Sequence, residues 1–343
     1  KNFLGIMITA SHFHHSYNGF KFFINGKKLE KKDEKFLEKK IILNSHFKKN
    51  KIVKCKIRTY SPSIYYLFIN KKFKVNKKNL INDKIIIDLA NGSVSAYYKK
   101  INFLKKLQIV NKKIKGNLIN YKSGTNYLQR NIRSDIFKRF KYSIAFDGDA
   151  DRLLIYRKNY GIIEPEKLAL IFIKYFLKKK YISNIITTEI SNPWISSEAK
   201  KFGVKVHFCK AGDRNVINKK KKYAAIFGFE NSGHFCFLNF MDGLYTAGLF
   251  LKILEKNIKI IDEILEKKIN YYKKVFAIPI NLEKNLRNFF RQKKYKSFKI
   301  VIRKSMWNNF LKIYLFFKGK DLKKLSICEK YLSNKILKIK LKN

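Results

Sequence analysis

The chain has 343 residues, 46% of them hydrophobic and 30 of them Phe, which is enough for two to four cored domains and excludes a disordered protein. Its formal net charge is +53, from 77 Lys and Arg against 24 Asp and Glu. That surplus attracts polyanions, so nonspecific contact with nucleic acid is expected; the lysines are scattered and Arg is sparse, which is not how a dedicated nucleic-acid reader arranges its basic residues. Cys55, Cys209, Cys236 and Cys328 lie far apart with no CxxC, which argues against a zinc module or a disulfide framework and fits a reducing, cytoplasmic setting. No apolar run reaches the length of a membrane span, and no signal peptide is visible.

In chain order, the first predicted element is a β-branched strand, "GIMIT", that stops at Ala10-Ser11. Three histidines follow, His12, His14 and His15, then Asn18-Gly19 and Lys21. This arrangement reads either as a loop without chemistry or as a presented nucleophile. His12 and His14 are expected on one strand face and His15 on the other. No further ligand of zinc-like spacing is nearby, which argues against a zinc site. "KIIIDLANGS" predicts a buried strand, a turn and a helix start; "YSIAFDGDADRLLIY" predicts strand, acidic loop, strand. "PEKLALIFIKYFLKKK" predicts a helix, "NIITTEIS" and "AAIFGFENSGHFCFL" strand-loop units, and "LYTAGLFLKILEK" a second helix. "FKIVIRKS", "FLKIYLFF" and a helical tail form a small α+β unit. The alternation means an α/β fold of repeated βα units, with soft boundaries near 74–80, 178–181 and 268–272.

The sharpest constellation is "FDGDADR". Asp147, Asp149 and Asp151 fall at alternate positions in a chain poor in acids, and packed carboxylates persist mainly where a cation neutralises them. Hard oxygen ligands suit Mg²⁺ or Ca²⁺. An EF-hand is excluded, because Arg152 occupies its glycine position and Lys158 its bidentate-Glu position. A polar hairpin turn is the plain alternative. In "GFENSGHF", Glu230, Asn231, Ser232 and His234 offer a donor and acceptor set suited to sugar hydroxyls, or form only a loop. In "KAGDRNV", Arg214 is placed to fork a phosphate or carboxylate, or to pair with Asp213 at the surface. Arg303, Lys304 and Ser305 bunch donors where a strand ends. A phosphorylated Ser11 facing a three-aspartate Mg²⁺ loop makes a phosphoryl-transfer centre, with His12 and Lys21 as the candidate proton carriers.

"ITASHFHHSYNGFKFF", "FDGDADR", "GDR", "GFENSGH" and "IRKS", in this order, resemble the α-D-phosphohexomutases. The resemblance implies a multi-domain phosphohexomutase architecture: repeated α/β domains with mixed sheets and a small α+β C-terminal domain around a cleft. The divisions it implies are a remnant of domain one over 1–76, domain two over 77–179, domain three over 180–269 and domain four over 270–343. It makes Ser11 the phosphoserine and a metal ligand, Asp147, Asp149 and Asp151 the ligands of one Mg²⁺, and Ser11, His12 and Lys21 the catalytic set. Arg152, Asp213, Arg214, Glu230, Ser232, His234, Arg303, Lys304 and Ser305 become substrate-binding residues for a small-molecule sugar phosphate. A hexose 1,6-bisphosphate is the implied activator.

"DLANGS", "GNLINYKSGT" and "AGDRNV" resemble the phosphoglucosamine mutase branch, whereas "SYNGFK" and "MDGLYTAGLFLKIL" resemble the phosphomannomutase/phosphoglucomutase branch. The expected reaction interconverts glucosamine 6-phosphate and glucosamine 1-phosphate. Phe13-His14 replaces the family's Asn-Pro after the serine, Met306-Trp307-Asn308-Asn309 replaces Gly-Thr-Glu-Pro, and Lys312 replaces an Arg. The family's G-T-D-G-I-R-G start is not in this sequence, so a missing N-terminal region, supplied by a separate chain, is expected. A non-catalytic remnant acting as a scaffold and a polyanion-binding protein are the rival functions.

Overall fold

The computed structural model describes residues 3–43, 61–74, 84–131, 139–179, 182–280, 283–292, 295–304 and 310–340. The chain divides into two compact units: Lys1–Ile163 with Gly233–Asn257, and Glu164–Ser232 with Ile258–Asn343.

Unit one opens with β1 (Leu4–Ile8), β2 (Phe20–Ile24) and β3 (Lys27–Lys28), an antiparallel sheet in that order. Asn25 and Gly26 both have positive φ, 50° and 73°, as a two-residue hairpin between twisted strands requires. The β1–β2 register sets Met7 opposite Lys21 and Ile8 opposite Phe20. Lys21 therefore lies beside the end of β1, from which the chain runs on to Ser11. Helices α1 (Lys31–Leu43) and α2 (Ser63–Lys72) follow. The second sheet has the order β5-β4-β6-β7-β8, from β4 (Ile85–Asp88), β5 (Gln108–Val110), β6 (Tyr142–Phe146), β7 (Leu153–Arg157) and β8 (Gly161–Ile162), with α3 (Gly124–Arg130) between β5 and β6. β5, β4 and β6 run parallel, and β7 and β8 are antiparallel. Every residue of β4 and β6 is buried, which explains their mostly apolar sequences. Asp147 leaves the C-terminal end of β6, where open α/β sheets present their ligand-binding loops.

In unit two, α4 (Pro165–Leu177) starts with Pro in its first turn, where a missing N–H costs nothing. It precedes β9 (Asn184–Thr188), α5 (Trp194–Lys200), β10 (Lys205–Cys209), α6 (Asp213–Lys222) and β11 (Gly228–Phe229), with β10 and β11 flanking β9 in a parallel ladder. Its core includes Leu170, Ile171, Phe172, Ile185, Ile186 and Phe227. The chain then returns to unit one with β12 (Phe235–Cys236) and α7 (Gly243–Glu266), whose backbone leaves helical values at Asn257, the last residue of unit one. Asp242 caps α7: its Oδ1 accepts the Tyr245 N–H at 2.8 Å, and both its oxygens accept the Tyr65 hydroxyl at 2.9 Å. Unit two closes with the antiparallel sheet β13 (Tyr272–Pro279), β15 (Phe310–Phe317), β14 (Lys299–Lys304), joined by α8 (Glu283–Phe290) and α9 (Leu322–Lys340). Ile278, Leu286, Leu311, Ile313, Leu315 and Leu325 form its core, as the α+β reading of this stretch requires.

The turn and helix start expected after "IIID" are present, and the strand placement of the histidines is corrected. After "IIID" the chain makes a turn and then a 3₁₀ helix, Ser93–Ala96. Ala90 and Asn91 have φ of 56° and 50°, and Gly92 packs so closely on Gly148 that a Cβ would fall 2.3 Å from its carbonyl oxygen. Those contacts commit the backbone to the turn. The three histidines lie in successive turns instead of on a strand, closed by Phe13 N–H to Ala10 O and Tyr17 N–H to His14 O. The described cysteines, Cys209, Cys236 and Cys328, are free thiols, and Cys55 lies outside the described residues. Among the described residues no helix is long and apolar enough to cross a membrane.

Candidate active site

Ser11 adopts φ 52°, a left-handed conformation that costs a non-glycine residue roughly 1–2 kcal/mol and persists where its surroundings over-determine it. Its N–H donates to Thr9 Oγ1 at 2.8 Å. Its hydroxyl donates to Asp147 Oδ2 at 2.8 Å and accepts from Arg152 Nη2 at 3.1 Å. His12 Nδ1 lies 3.5 Å from the same oxygen. A side chain at the end of β1 thus meets one that leaves β6, although 136 residues separate them.

Asp147, Asp149 and Asp151 each present a carboxylate oxygen, all within 4.8 Å of one another; this is the one such cluster among the described residues. Thr9 Oγ1 donates to Asp149 Oδ2 at 3.1 Å, and Lys21 Nζ bridges Asp149 Oδ2 at 2.7 Å and Asp151 Oδ2 at 3.2 Å. Asp149 Oδ1 is buried with no hydrogen-bond partner. An ionised carboxylate oxygen in that condition is costly unless a cation faces it. The trio of hard oxygens, with Asp149 Oδ1 left without a partner, fits Mg²⁺ or Ca²⁺. Gly233, at φ 94°, lets the following residue approach the loop; a Cβ there would fall 2.4 Å from the Leu153 carbonyl oxygen. His234 Nε2 then lies 3.1 Å from both Arg152 Nε and Asp151 Oδ1.

The electrostatics divide the two expected proton carriers. Burial, then the Arg152 and His234 charges, push the His12 imidazole down to about 4, so it is neutral near pH 7. Burial opposes the charge on Lys21, but Asp151 and Asp149 outweigh it and hold the ammonium more firmly protonated than usual. Burial, with Asp151 and Asp149 facing it, pushes Asp147 up to about 7. Burial also works against the Asp151 charge, yet the His234 hydrogen bond and the charges of His234, Lys21 and Arg152 hold it well below the usual carboxylate range. His12 is therefore neutral and Lys21 a fixed positive charge.

Four residues that the sequence did not single out complete this unit. Thr9 bridges the serine loop to Asp149. Asn120 Nδ2 donates to the carbonyls of Ser11 at 2.7 Å and Phe13 at 2.9 Å, and Asn126 Nδ2 donates to that of His12 at 3.0 Å. Gly148 N–H reaches the Ser11 carbonyl at 3.2 Å, and a Cβ on Gly148 would fall 2.7 Å from that oxygen. The signal for Asn120 and Asn126 lay in "GNLINYKSGTNY", which carries no chemistry until folded.

Unit two holds other expected residues. Asp213 and Arg214 open α6, and Gly212 before them has φ 128°. Glu230 Oε1 accepts the Gly212 N–H at 2.7 Å, which ties "GFENSGH" to "AGDRNV". Ser232 ends this segment of unit two, whereas His234 belongs to unit one. Arg303 and Lys304 are the last residues of β14, with Arg303 opposite Lys312 on β15 and Lys304 Nζ 3.6 Å from Glu283 Oε2. Ser305 and Met306–Asn309 lie outside the described residues.

Residues 1–46 match the family model of phosphoglucomutase/phosphomannomutase alpha/beta/alpha domain I, and residues 164–272 match that of domain III. The phosphoglucosamine mutase of Buchnera aphidicola subsp. Baizongia pistaciae is 30% identical over 98% of this chain and 78% of its own length. This chain belongs to the α-D-phosphohexomutase family. The phosphoglucosamine mutase of Caldicellulosiruptor saccharolyticus is 28% identical over 76% of the chain, which spans 60% of that relative's length. Two solved structures share the phosphohexomutase fold. A phosphoglucomutase/phosphomannomutase family protein from Burkholderia thailandensis superposes with TM-score 0.77 at 21% identity, covering 98% of this chain and 76% of that one. Aspergillus fumigatus N-acetylphosphoglucosamine mutase, in complex with GlcNAc-6P and magnesium, superposes with TM-score 0.66 at 13% identity, covering 91% and 85%.

Proposed function

We propose that this chain carries out the phosphoglucosamine mutase reaction, interconverting glucosamine 6-phosphate and glucosamine 1-phosphate. The observation that carries the reading is Ser11 Oγ at 2.8 Å from Asp147 and 3.1 Å from Arg152, beside the three-aspartate cluster. Phospho-Ser11 transfers its phosphoryl group to the sugar O1. The O1 hydroxyl attacks phosphorus, the Oγ–P bond breaks and the O1–P bond forms. Neutral His12 takes the hydroxyl proton and passes it to Ser11 Oγ, so one imidazole serves both directions. The Arg152 guanidinium stabilises charge on the leaving oxygen. The resulting 1,6-bisphosphate turns in the site and returns its 6-phosphoryl group to Ser11 by the reverse step.

Asp147, Asp149 and Asp151 would hold one Mg²⁺, which when bound neutralises charge on the phosphoryl oxygens. Lys21 keeps Asp149 and Asp151 in place. Glu230, Ser232 and His234 take sugar hydroxyls, Asp213 and Arg214 at the start of α6 add further substrate contacts, and Arg303, Lys304 and Ser305 take the distal phosphate. The four-domain division at 76/77, 179/180 and 269/270, a cytoplasmic setting, and priming by a hexose 1,6-bisphosphate belong to this reading. It is tested by coupled turnover with Mg²⁺ and glucose 1,6-bisphosphate on glucosamine, glucose and mannose phosphates. The expected result is the highest kcat/KM on glucosamine 6-phosphate. A preference for glucose or mannose phosphates moves the chain to the other branch, and no turnover by folded protein supports the scaffold reading.

A further inference from the structure

We infer that Asn120 and Asn126 are positioning residues that hold the Ser11 loop in its phosphoryl-transfer geometry from outside the loop; this rests on the function proposed above. The loop has little stiffness of its own. Its consecutive turns carry Ser11 at φ 52°, and Phe13-His14 follow where a proline would have restricted the backbone. Yet three successive carbonyls, of Ser11, His12 and Phe13, all accept from just two side-chain amides, at 2.7, 3.0 and 2.9 Å. Gly148 N–H adds a second donor to the Ser11 carbonyl.

The two amides are themselves fixed. Asn120 has φ 58°, a conformation Asn tolerates, and its N–H donates to the Ala90 carbonyl at 2.9 Å. Asn91 Nδ2 donates to the Leu118 carbonyl at 3.2 Å, and the Lys113 N–H donates to Asn91 Oδ1 at 2.9 Å. Asn126 lies in the first turn of α3, whose Gly124 N–H donates to the buried Asp88 carboxylate at 2.8 Å. Asp88 ends the fully buried β4. The donors are therefore tied to the fully buried strand β4 and the turn after it, which is the arrangement a reactive side chain needs. Only a neutral amide serves here. A carboxylate has no N–H to give and would set its oxygens against the carbonyls.

The test uses Asn120→Asp, which keeps shape and left-handed tolerance but loses the donor, Asn120→Gly, which keeps the backbone conformation alone, and Asn126→Asp. Each is assayed for kcat and KM on glucosamine 6-phosphate. Amide hydrogen exchange over residues 9–17 is measured in parallel on the unliganded protein. A misplacement on the order of 1 Å costs about 100-fold in rate. We expect kcat to fall about 10- to 100-fold for Asn120→Asp, less for Asn120→Gly and Asn126→Asp, with KM within about threefold and faster exchange confined to the loop. Unchanged kcat, or unchanged loop exchange, overturns the inference. A general loss of protection across both sheets also overturns it, because the asparagines would then be holding the fold and not the serine. If the wild-type protein turns over no sugar phosphate, the proposed function fails, and the exchange measurement still decides whether the clamp holds the loop.

Discussion

The serine half and the aspartate half of the candidate site are built in opposite ways. Ser11 follows β1, whose Leu4, Ile6 and Ile8 are 66%, 53% and 64% exposed. Asp147 follows β6, none of whose residues is more than 1% exposed. The aspartates inherit their position from a buried sheet, whereas the serine is held by groups that other segments extend to it. A reactive side chain thus takes its precision from wherever the fold is packed, even when its own strand is not.

Gly148→Ala should break the comparison most strongly, because it strikes where the two halves touch. The added Cβ would fall 2.7 Å from the Ser11 carbonyl oxygen, on backbone that cannot yield cheaply. Activity is expected to fall about 100-fold, together with a loss of stability, read by turnover and thermal melting on the same samples. The next test separates the halves by stability. Ile144→Ala, in β6, should cost about 2–5 kcal/mol in urea unfolding, as other large-to-small core changes do. Ile8→Ala, on an exposed position, should cost less than about 0.5 kcal/mol. Equal losses would show that the two strands are supported alike.

A pH dependence on the aspartate side completes the comparison. Burial pushes the Asp88 carboxyl up to about 6, against the hydrogen bonds from Gly124 and Ala90 that favour its ionised form. The native state then holds this proton more tightly than the unfolded chain. The group's contribution to stability is full below its unfolded pKa, near 3.8, and is lost as pH rises through about 6. Relative to Asp88→Asn, the wild-type protein should lose about 1–3 kcal/mol of unfolding free energy between pH 4 and 7. A flat difference would mean that Asp88 is not buried as an acid.

The acidic loop was legible because three carboxylates in five residues oppose the composition of a chain with +53 net charge. Ser11 was legible from a strand that stops at a serine and a histidine. The strands were also readable, since β4 and β9 are rich in β-branched residues and β6 is a short, mostly apolar run. What could not be read was every contact made across large sequence separation by residues without chemistry of their own. Asn120 lies 109 residues from Ser11. Glu230 capturing the Gly212 N–H joins two motifs that look independent in sequence. The turn after Asp88 was readable as a turn, but not the close approach of Gly92 to Gly148, which depends on another loop. The charge states of His12 and Lys21 separated only when burial and neighbouring charge were known.

The most direct test of the phosphoserine account is intact-mass and peptide mass spectrometry of the protein after incubation with glucose 1,6-bisphosphate and Mg²⁺. One phosphoryl group located on Ser11, absent in Ser11→Ala and discharged by adding glucosamine 6-phosphate, is the predicted result. An unmodified chain, or a phosphoryl group on any other residue, would contradict it.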